Sequence, residues 1–197
     1  MMKIVLASRN RGKITEMTSL LGALPVELIS AGELPGAPDV SEDEETLEGN
    51  ARKKAESLHR FTGLPSLADD TGLEVDALGG KPGVHSARFA GSQADDRANR
   101  MLLLELLAGE QNRFARFRTV VVFIDDLGLH YFEGICQGEI ATGEQGTGGF
   151  GYDALFLPEG ENRTFAEMDD DEKNAISHRG RALGELTSYL RERLGGR

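Results

Sequence analysis

The chain has 197 residues, 39% of them hydrophobic and 28% charged, a length and balance that fit one globular domain or two lobes sharing a core. Its 33 acidic residues against 22 basic ones leave a formal net charge of −11, which argues against nucleic-acid polymers and anionic membranes as partners. A single cysteine, Cys136, excludes an intramolecular disulfide framework and suits a reducing cytoplasm, and no apolar run is long enough to span a bilayer.

In chain order, residues 3–7 read as a short buried strand. Asn10 then caps a helix running to about Leu24, with Ile14, Met17, Leu20 and Leu21 inward. Residues 26–29 form a second strand, and Pro35 and Pro38 mark a loop. The spacing of Leu47, Ala51, Ala55 and Leu58 predicts a helix over 45–60. Residues 66–68 and 73–75 read as two strand pieces around an acidic turn, followed by a glycine-rich loop over 78–83 and a third helix over 95–107. Residues 119–124 and 130–139 pair as a hairpin around Asp126-Leu127-Gly128. A glycine loop over 143–151 leads into a strand over 154–157, and a last helix runs from about Asp171 to Leu194. Early alternation of strand and helix with a late hairpin predicts a mixed α/β sheet.

Several segments carry chemistry. Ser8 to Lys13 lies where a strand gives way to a helix, where unsatisfied backbone N–H groups and the helix dipole favour an anion. Gly12 permits close approach and Lys13 adds a mobile cation; the plain alternative is a capped helix with surface cations. Asp69-Asp70 offers two carboxylates on opposite sides of a strand end: one can hold a metal while the other caps a turn, both can share a metal, or the pair is an ordinary turn. The acidic run Ser41–Glu45 either complements a helix dipole or lends an oxygen ligand to Mg²⁺. Asn50 and Lys54, at i and i+4, share a helix face. Gly146 to Gly151 matches G-x-G-x-x-G, but a strand-like segment follows it, so a ring-binding loop with Phe150 against a flat ring and Asp153 at its edge fits better than a dinucleotide fingerprint. In the last helix, Lys173, Ser177 and Arg181 fall on one stripe with His178 and Arg179 beside it, a cluster suited to an anionic ligand and to the polar edges of a ring.

Together these segments resemble the inosine triphosphate pyrophosphatase family, which removes non-standard purine nucleoside triphosphates. The matching pieces are Ser8-x-Asn10-x-Gly12-Lys13-x-x-Glu16, Thr46-x-x-x-Asn50-Ala51-x-x-Lys54-Ala55 and Ala68-Asp69-Asp70-Thr71-Gly72-Leu73-x-Val75. Further along come Pro82-Gly83-Val84-x-Ser86-Ala87-Arg88-Phe89-Ala90-Gly91, Gly146 to Asp153, Thr164-x-Ala166-Glu167-Met168 and Lys173-Asn174-Ala175-x-Ser177-His178-Arg179. The resemblance spans nearly the whole chain, with departures at Arg9, Leu47, Gly49 and Ala154.

The resemblance implies one domain over residues 1–197: a two-lobed α/β fold with a long, curved mixed sheet and an active cleft between the lobes. It implies a homodimer that cleaves ITP, dITP and XTP between the α and β phosphates, with Mg²⁺ required, and the single cysteine points to a cytoplasmic location. Asp70 would be the general base, and Glu42 and Asp70 would hold the metal, with Asp69 a third candidate. Ser8, Arg9, Asn10, Arg11, Gly12, Lys13 and Lys54 would bind phosphates, and Thr71 would touch substrate. Phe150, Gly151, Tyr152, Asp153, Lys173, His178 and Arg179 would hold base and sugar. Hypoxanthine and xanthine present O6 as acceptor and N1–H as donor, so Arg179 or His178 donating and Asp153 accepting would favour them over adenine, which reverses both groups. Two other readings share part of the pattern: a pyrophosphatase for modified pyrimidine or methylated nucleotides, which lacks the His178-Arg179 element, and a nucleotide sensor without turnover.

Overall fold

The computed structural model describes residues 1–93 and 95–195. The strands are β1 (Met2–Leu6), β2 (Val26–Ser30), β3 (Ser66–Val75), β4 (Pro82–Gly83), β5 (Phe114–Asp125), β6 (Gly128–Ile140) and β7 (Phe156–Pro158). The helices are α1 (Arg11–Leu21), α2 (Leu47–Thr62), α3 (Asp96–Leu106), α4 (Asp170–Ile176) and α5 (His178–Gly195). The strands form a mixed sheet in the order β2-β1-β3-β5-β6-β7, with β4 on β3. β1 is parallel to β2 and to β3, while β4 runs antiparallel to β3 and β7 to β6. Among the described residues no helix is long and apolar enough to cross a membrane.

The chain forms two compact units. The first takes Met1–Asp70, Thr119–Gly134 and the chain from Arg179 on; the second takes Thr71–Arg118 and Ile135–His178. In the first, strand alternation sorts side chains to two faces. Ile4, Leu6 and Leu67 join Met17 and Leu21 of α1 and Ala182, Leu183 and Leu186 of α5, whereas Val5 joins Leu58 of α2 and Ala31. Asp69 falls on the same face of β3 as Leu67, and Asp70 on the opposite one. The second unit has its own core, in which Leu73, Leu103, Phe117, Tyr152, Phe156 and Phe165 meet.

Helix α2 begins at Thr46, whose side chain accepts from Gly49 N at 3.1 Å, and ends at Gly63 in the left-handed conformation. Its buried stripe is Leu47, Asn50, Ala51, Lys54, Ala55 and Leu58. That stripe fits one face of a helix, but Asn50 and Lys54 within it are polar and therefore need buried partners.

Several expected boundaries differ, among them the loop expected over 78–83, which contains β4, and two differences bear on the site. The acidic turn between two strand pieces is instead the middle of one ten-residue strand, β3. Turn-prone Asp69 and Asp70 stay extended because the carboxylates find buried partners, and Gly72 lets β4 pair closely, since the Gly83 carbonyl lies 2.7 Å from where a Cβ on residue 72 would stand. The expected last helix is two helices. Ser177 is extended (φ −70°, ψ 158°) and ends α4, donating its N–H to the Lys173 carbonyl at 2.9 Å. The break is one residue long, so the hydrophobic period runs through it unmarked, and the stripe expected to join Lys173, Ser177 and Arg181 does not exist.

Candidate active site

In the first unit, α1 starts with Asn10 as its cap, the side chain accepting from Lys13 N at 3.2 Å. Ser8 Oγ accepts from Asn10 N at 3.2 Å, and the Ser8 carbonyl accepts from Ser30 Oγ at 3.2 Å, which fixes the turn from strand to helix. Lys13 extends its ammonium to 3.0 Å from Asp69 Oδ2. Glu16, one turn further and buried, accepts from Arg179 Nη1. Arg179 also donates to Asp69 Oδ2 through Nη2 (3.1 Å) and Nε (3.3 Å). Of the other cations expected here, Arg9 pairs with Asp39 Oδ1 at 2.9 Å and with the Ala37 carbonyl at 3.3 Å; Arg11 is exposed at the helix start.

The other face of β3 holds Asp70. Its Oδ2 accepts from Asn50 Nδ2 at 3.0 Å. Lys54 Nζ lies 3.6 Å from Asp70 Oδ1, 2.6 Å from Glu42 Oε1 and 2.6 Å from the Asp69 carbonyl oxygen. The buried polar members of the α2 stripe thus serve the two acids.

The adjacent aspartates titrate in opposite directions. Burial opposes ionisation of Asp69, but Lys13, Arg179 and Lys54 outweigh it and hold the carboxyl well below the ordinary range. Burial dominates at Asp70 and pushes its carboxyl up, with Glu42 adding to the rise while Lys54, Lys13 and the Asn50 bond oppose it. Burial also acts to raise Glu42, but Lys54 wins and keeps it low. An anion saturated with cations is a poor proton acceptor; a buried carboxylate kept from easy ionisation is a better one. Asp70 is the candidate base, and Asp69 is the anchor of Lys13 and Arg179.

The donors that could hold a divalent ion are Glu42 and Asp70. Both carboxylates reach toward one cation, the Lys54 ammonium, and the set is all oxygen, which suits Mg²⁺. Among the described residues no group of three or more His, Cys, Asp or Glu side chains converges as a closed cage. An ion held there would be completed by water and ligand oxygens, the usual habit of Mg²⁺.

In the second unit, the glycine loop turns at residues 149–153. Asp153 Oδ2 accepts from Phe150 N at 2.9 Å and from Lys173 Nζ at 2.7 Å. The Lys173 ammonium stands 4.8 Å from the centre of the Phe150 ring and 5.7 Å from that of Phe165. Gly149 has φ +68°, and a Cβ there would fall 2.2 Å from Asp153 Oδ2, so only glycine lets that carboxylate close the turn. The loop is held from α3: Gly151 N donates to Asp96 Oδ2 at 2.8 Å, and its carbonyl accepts from Arg100 Nη1 at 2.8 Å. Tyr152 points into the core, its hydroxyl on the Ser86 carbonyl at 2.8 Å, and burial raises its phenol well above the usual range, with Asp96 adding to the shift. The His178 ring stacks on Phe117 with centroids 4.4 Å apart. Thr71 is half-buried in β3.

Over residues 4–189 the chain matches the model of the Ham1 family. The chain belongs to the Ham1 family. Ham1 proteins of known structure share its fold: that of Coxiella burnetii is 42% identical with a TM-score of 0.89, covering 98% of this chain and 100% of that one. That of Staphylococcus aureus is 38% identical with a TM-score of 0.87, covering 97% and 99%. The dITP/XTP pyrophosphatase of Desulforamulus reducens is 51% identical over 192 residues, 96% of each chain, and that of Porphyromonas gingivalis 47% over 191 residues, 96% and 98%.

Sequence reasoning placed Lys13, Lys54 and Asp70 together, and the structure gathers them in the first unit. It placed Arg179 with Lys173 and His178 on the base, whereas the guanidinium is engaged by Asp69 and Glu16. It gave no role to Asp96 and Arg100, which hold the glycine loop; their i, i+4 spacing on α3 was the available signal. At Gly49, a departure from the family pattern, a Cβ would stand 2.9 Å from Glu44 Cβ, so the acidic loop packs where a side chain would otherwise sit.

Proposed function

We propose that this chain hydrolyses the non-standard purine nucleoside triphosphates dITP, ITP and XTP to the monophosphate and pyrophosphate. The observation that carries the reading is Asp70: a buried carboxylate with a raised pKa, beside Glu42 and Lys54 and one residue from an aspartate that holds two further cations. The names of the relatives support the substrate class.

Asp70 takes a proton from water, whose oxygen attacks the α-phosphorus as the bond to the α–β bridging oxygen breaks and pyrophosphate departs. Lys13, Lys54 and the backbone at the start of α1 meet the phosphate oxygens and offset their charge. Glu42 and Asp70 would hold Mg²⁺. Bound there, the ion would supply charge neutralisation at the phosphates and lower the pKa of a bound water. The base falls to Phe150, Asp153 and Lys173, with His178 as the remaining base-edge donor, while Arg179 holds Asp69 and Glu16. A homodimer and a cytoplasmic location go with this reading.

The test is product analysis with dITP, dUTP and dATP in Mg²⁺. Pyrophosphate from dITP is expected, with little from the other two. Orthophosphate as the first product would place the cut at another bond and refute the reading.

A further inference from the structure

Lys54 stands where a site for a divalent ion would be filled. Its ammonium is buried, 2.6 Å from Glu42 Oε1, 2.6 Å from the Asp69 carbonyl oxygen and 3.6 Å from Asp70 Oδ1. Two carboxylate oxygens and a carbonyl around one positive centre make an oxygen donor set of the kind a hard cation takes.

We infer that Lys54 is a placeholder cation: in the nucleotide-free protein it occupies the Glu42–Asp70 pair and excludes a divalent ion from it. The inference rests on the proposed reading of that pair as metal ligands. The physical reason is charge. A second cation beside a buried ammonium meets repulsion that the two carboxylates must outweigh while losing part of their hold on the lysine. An incoming triphosphate removes the conflict, because its oxygens give Lys54 another anion to meet. The flexible four-carbon stem lets the ammonium turn from acid to phosphate, which a rigid arginine fork would not do as readily. Metal and nucleotide then bind with positive coupling, each raising the affinity for the other by the same factor. The device also serves the free protein, because Lys54 offsets part of the negative charge of Glu42 and Asp70.

The test is Mn²⁺ binding to nucleotide-free protein, read by electron paramagnetic resonance, which needs no turnover. Unmodified protein should bind Mn²⁺ at this pair more weakly than about 100 µM, since a two-carboxylate site without substrate oxygens is incomplete. Lys54→Met and the milder Lys54→Gln should tighten binding by roughly tenfold or more. Adding Glu42→Gln to either variant should abolish the gain. Unchanged or weaker binding in a folded Lys54 variant overturns the inference, and so does a gain that survives Glu42→Gln. If neither Lys54 variant folds, the unmodified protein still decides: binding tighter than about 100 µM that Glu42→Gln removes shows that the ammonium is no barrier. Pyrophosphate release from dITP by the unmodified protein is scored separately. A missing product sinks the substrate reading alone, and a failed Mn²⁺ result sinks the placeholder alone.

Discussion

The first unit surrounds Asp69 and Asp70 with Lys13, Lys54 and Arg179, whereas the second surrounds Asp153 with one ammonium, a backbone N–H and aromatic rings. Both are buried carboxylates with a lysine within reach, and they differ in what else is there. Dense opposed charge suits a ligand with many negative oxygens and gives little that distinguishes one nucleotide from another. A single ion pair under a ring, in a turn held by its own backbone, suits a flat ligand with one polar edge. Within the first cluster a finer contrast holds: one aspartate is saturated with cations and the next is not, because neighbouring strand residues face opposite ways.

The largest expected effect comes from Asp70→Asn. The amide keeps the shape but accepts no proton from water, so kcat should fall about 10²–10⁴-fold while nucleotide binding by calorimetry stays close to normal. Because burial disfavours ionised Asp70, this variant should melt no lower than the parent. A turnover within tenfold of normal would move the base elsewhere, with Asp69 the first suspect.

Asp69→Asn should behave oppositely. It leaves Lys13 and Arg179 without their shared acid, and breaking a buried pair from one side typically costs about 3–5 kcal/mol in unfolding free energy, measurable by urea titration. Asp69 has a lowered pKa in the folded protein, so its contribution is present above the unfolded carboxyl's pKa and is lost as pH falls through the folded value. The gap between parent and variant should therefore narrow in acid. An equal gap at neutral and acid pH would show that the effect is not ionic.

Substitutions in the two units should separate by substrate. Lys13→Ala should weaken ITP and ATP alike, since both carry the phosphates. Lys173→Ala should lower the ITP-to-ATP ratio of kcat/KM by roughly tenfold, the effect of one specific charged hydrogen bond. Arg179→Lys sharpens the comparison: a base-edge role predicts a fallen ratio, whereas its bonds to Asp69 and Glu16 lead us to expect equal losses on both.

The smallest expected effect is a shift in pH dependence. Asn50 donates to Asp70 and so favours its ionised form. Asn50→Leu should move the acid limb of kcat/KM to higher pH; an unmoved limb would mean that the limb reports another group.

Much of the site could be read without coordinates. The strand-to-helix turn at Asn10, the α2 stripe with Asn50 and Lys54 inside it and the glycine turn at Phe150 follow from capping, helical period and backbone freedom, which are local. The continuity of β3 was not legible, because Asp69-Asp70-Thr71-Gly72 is turn-forming by composition and stays extended only where distant cations neutralise it. The break at Ser177 was hidden because one extended residue barely disturbs the helical period.

By itself the sequence determined the family, the alternating α/β pattern and the acidic excess that disfavours polyanionic polymers. These depend on residue types and spacings along the chain. Tertiary structure alone decided which partner each charge takes: Arg179 with Asp69 and Glu16, Lys173 with Asp153, and Lys54 with Glu42 and Asp70. A buried charge is set by whichever opposite charges the fold brings within a few ångströms, and Asp69 and Arg179 lie 110 residues apart in the chain.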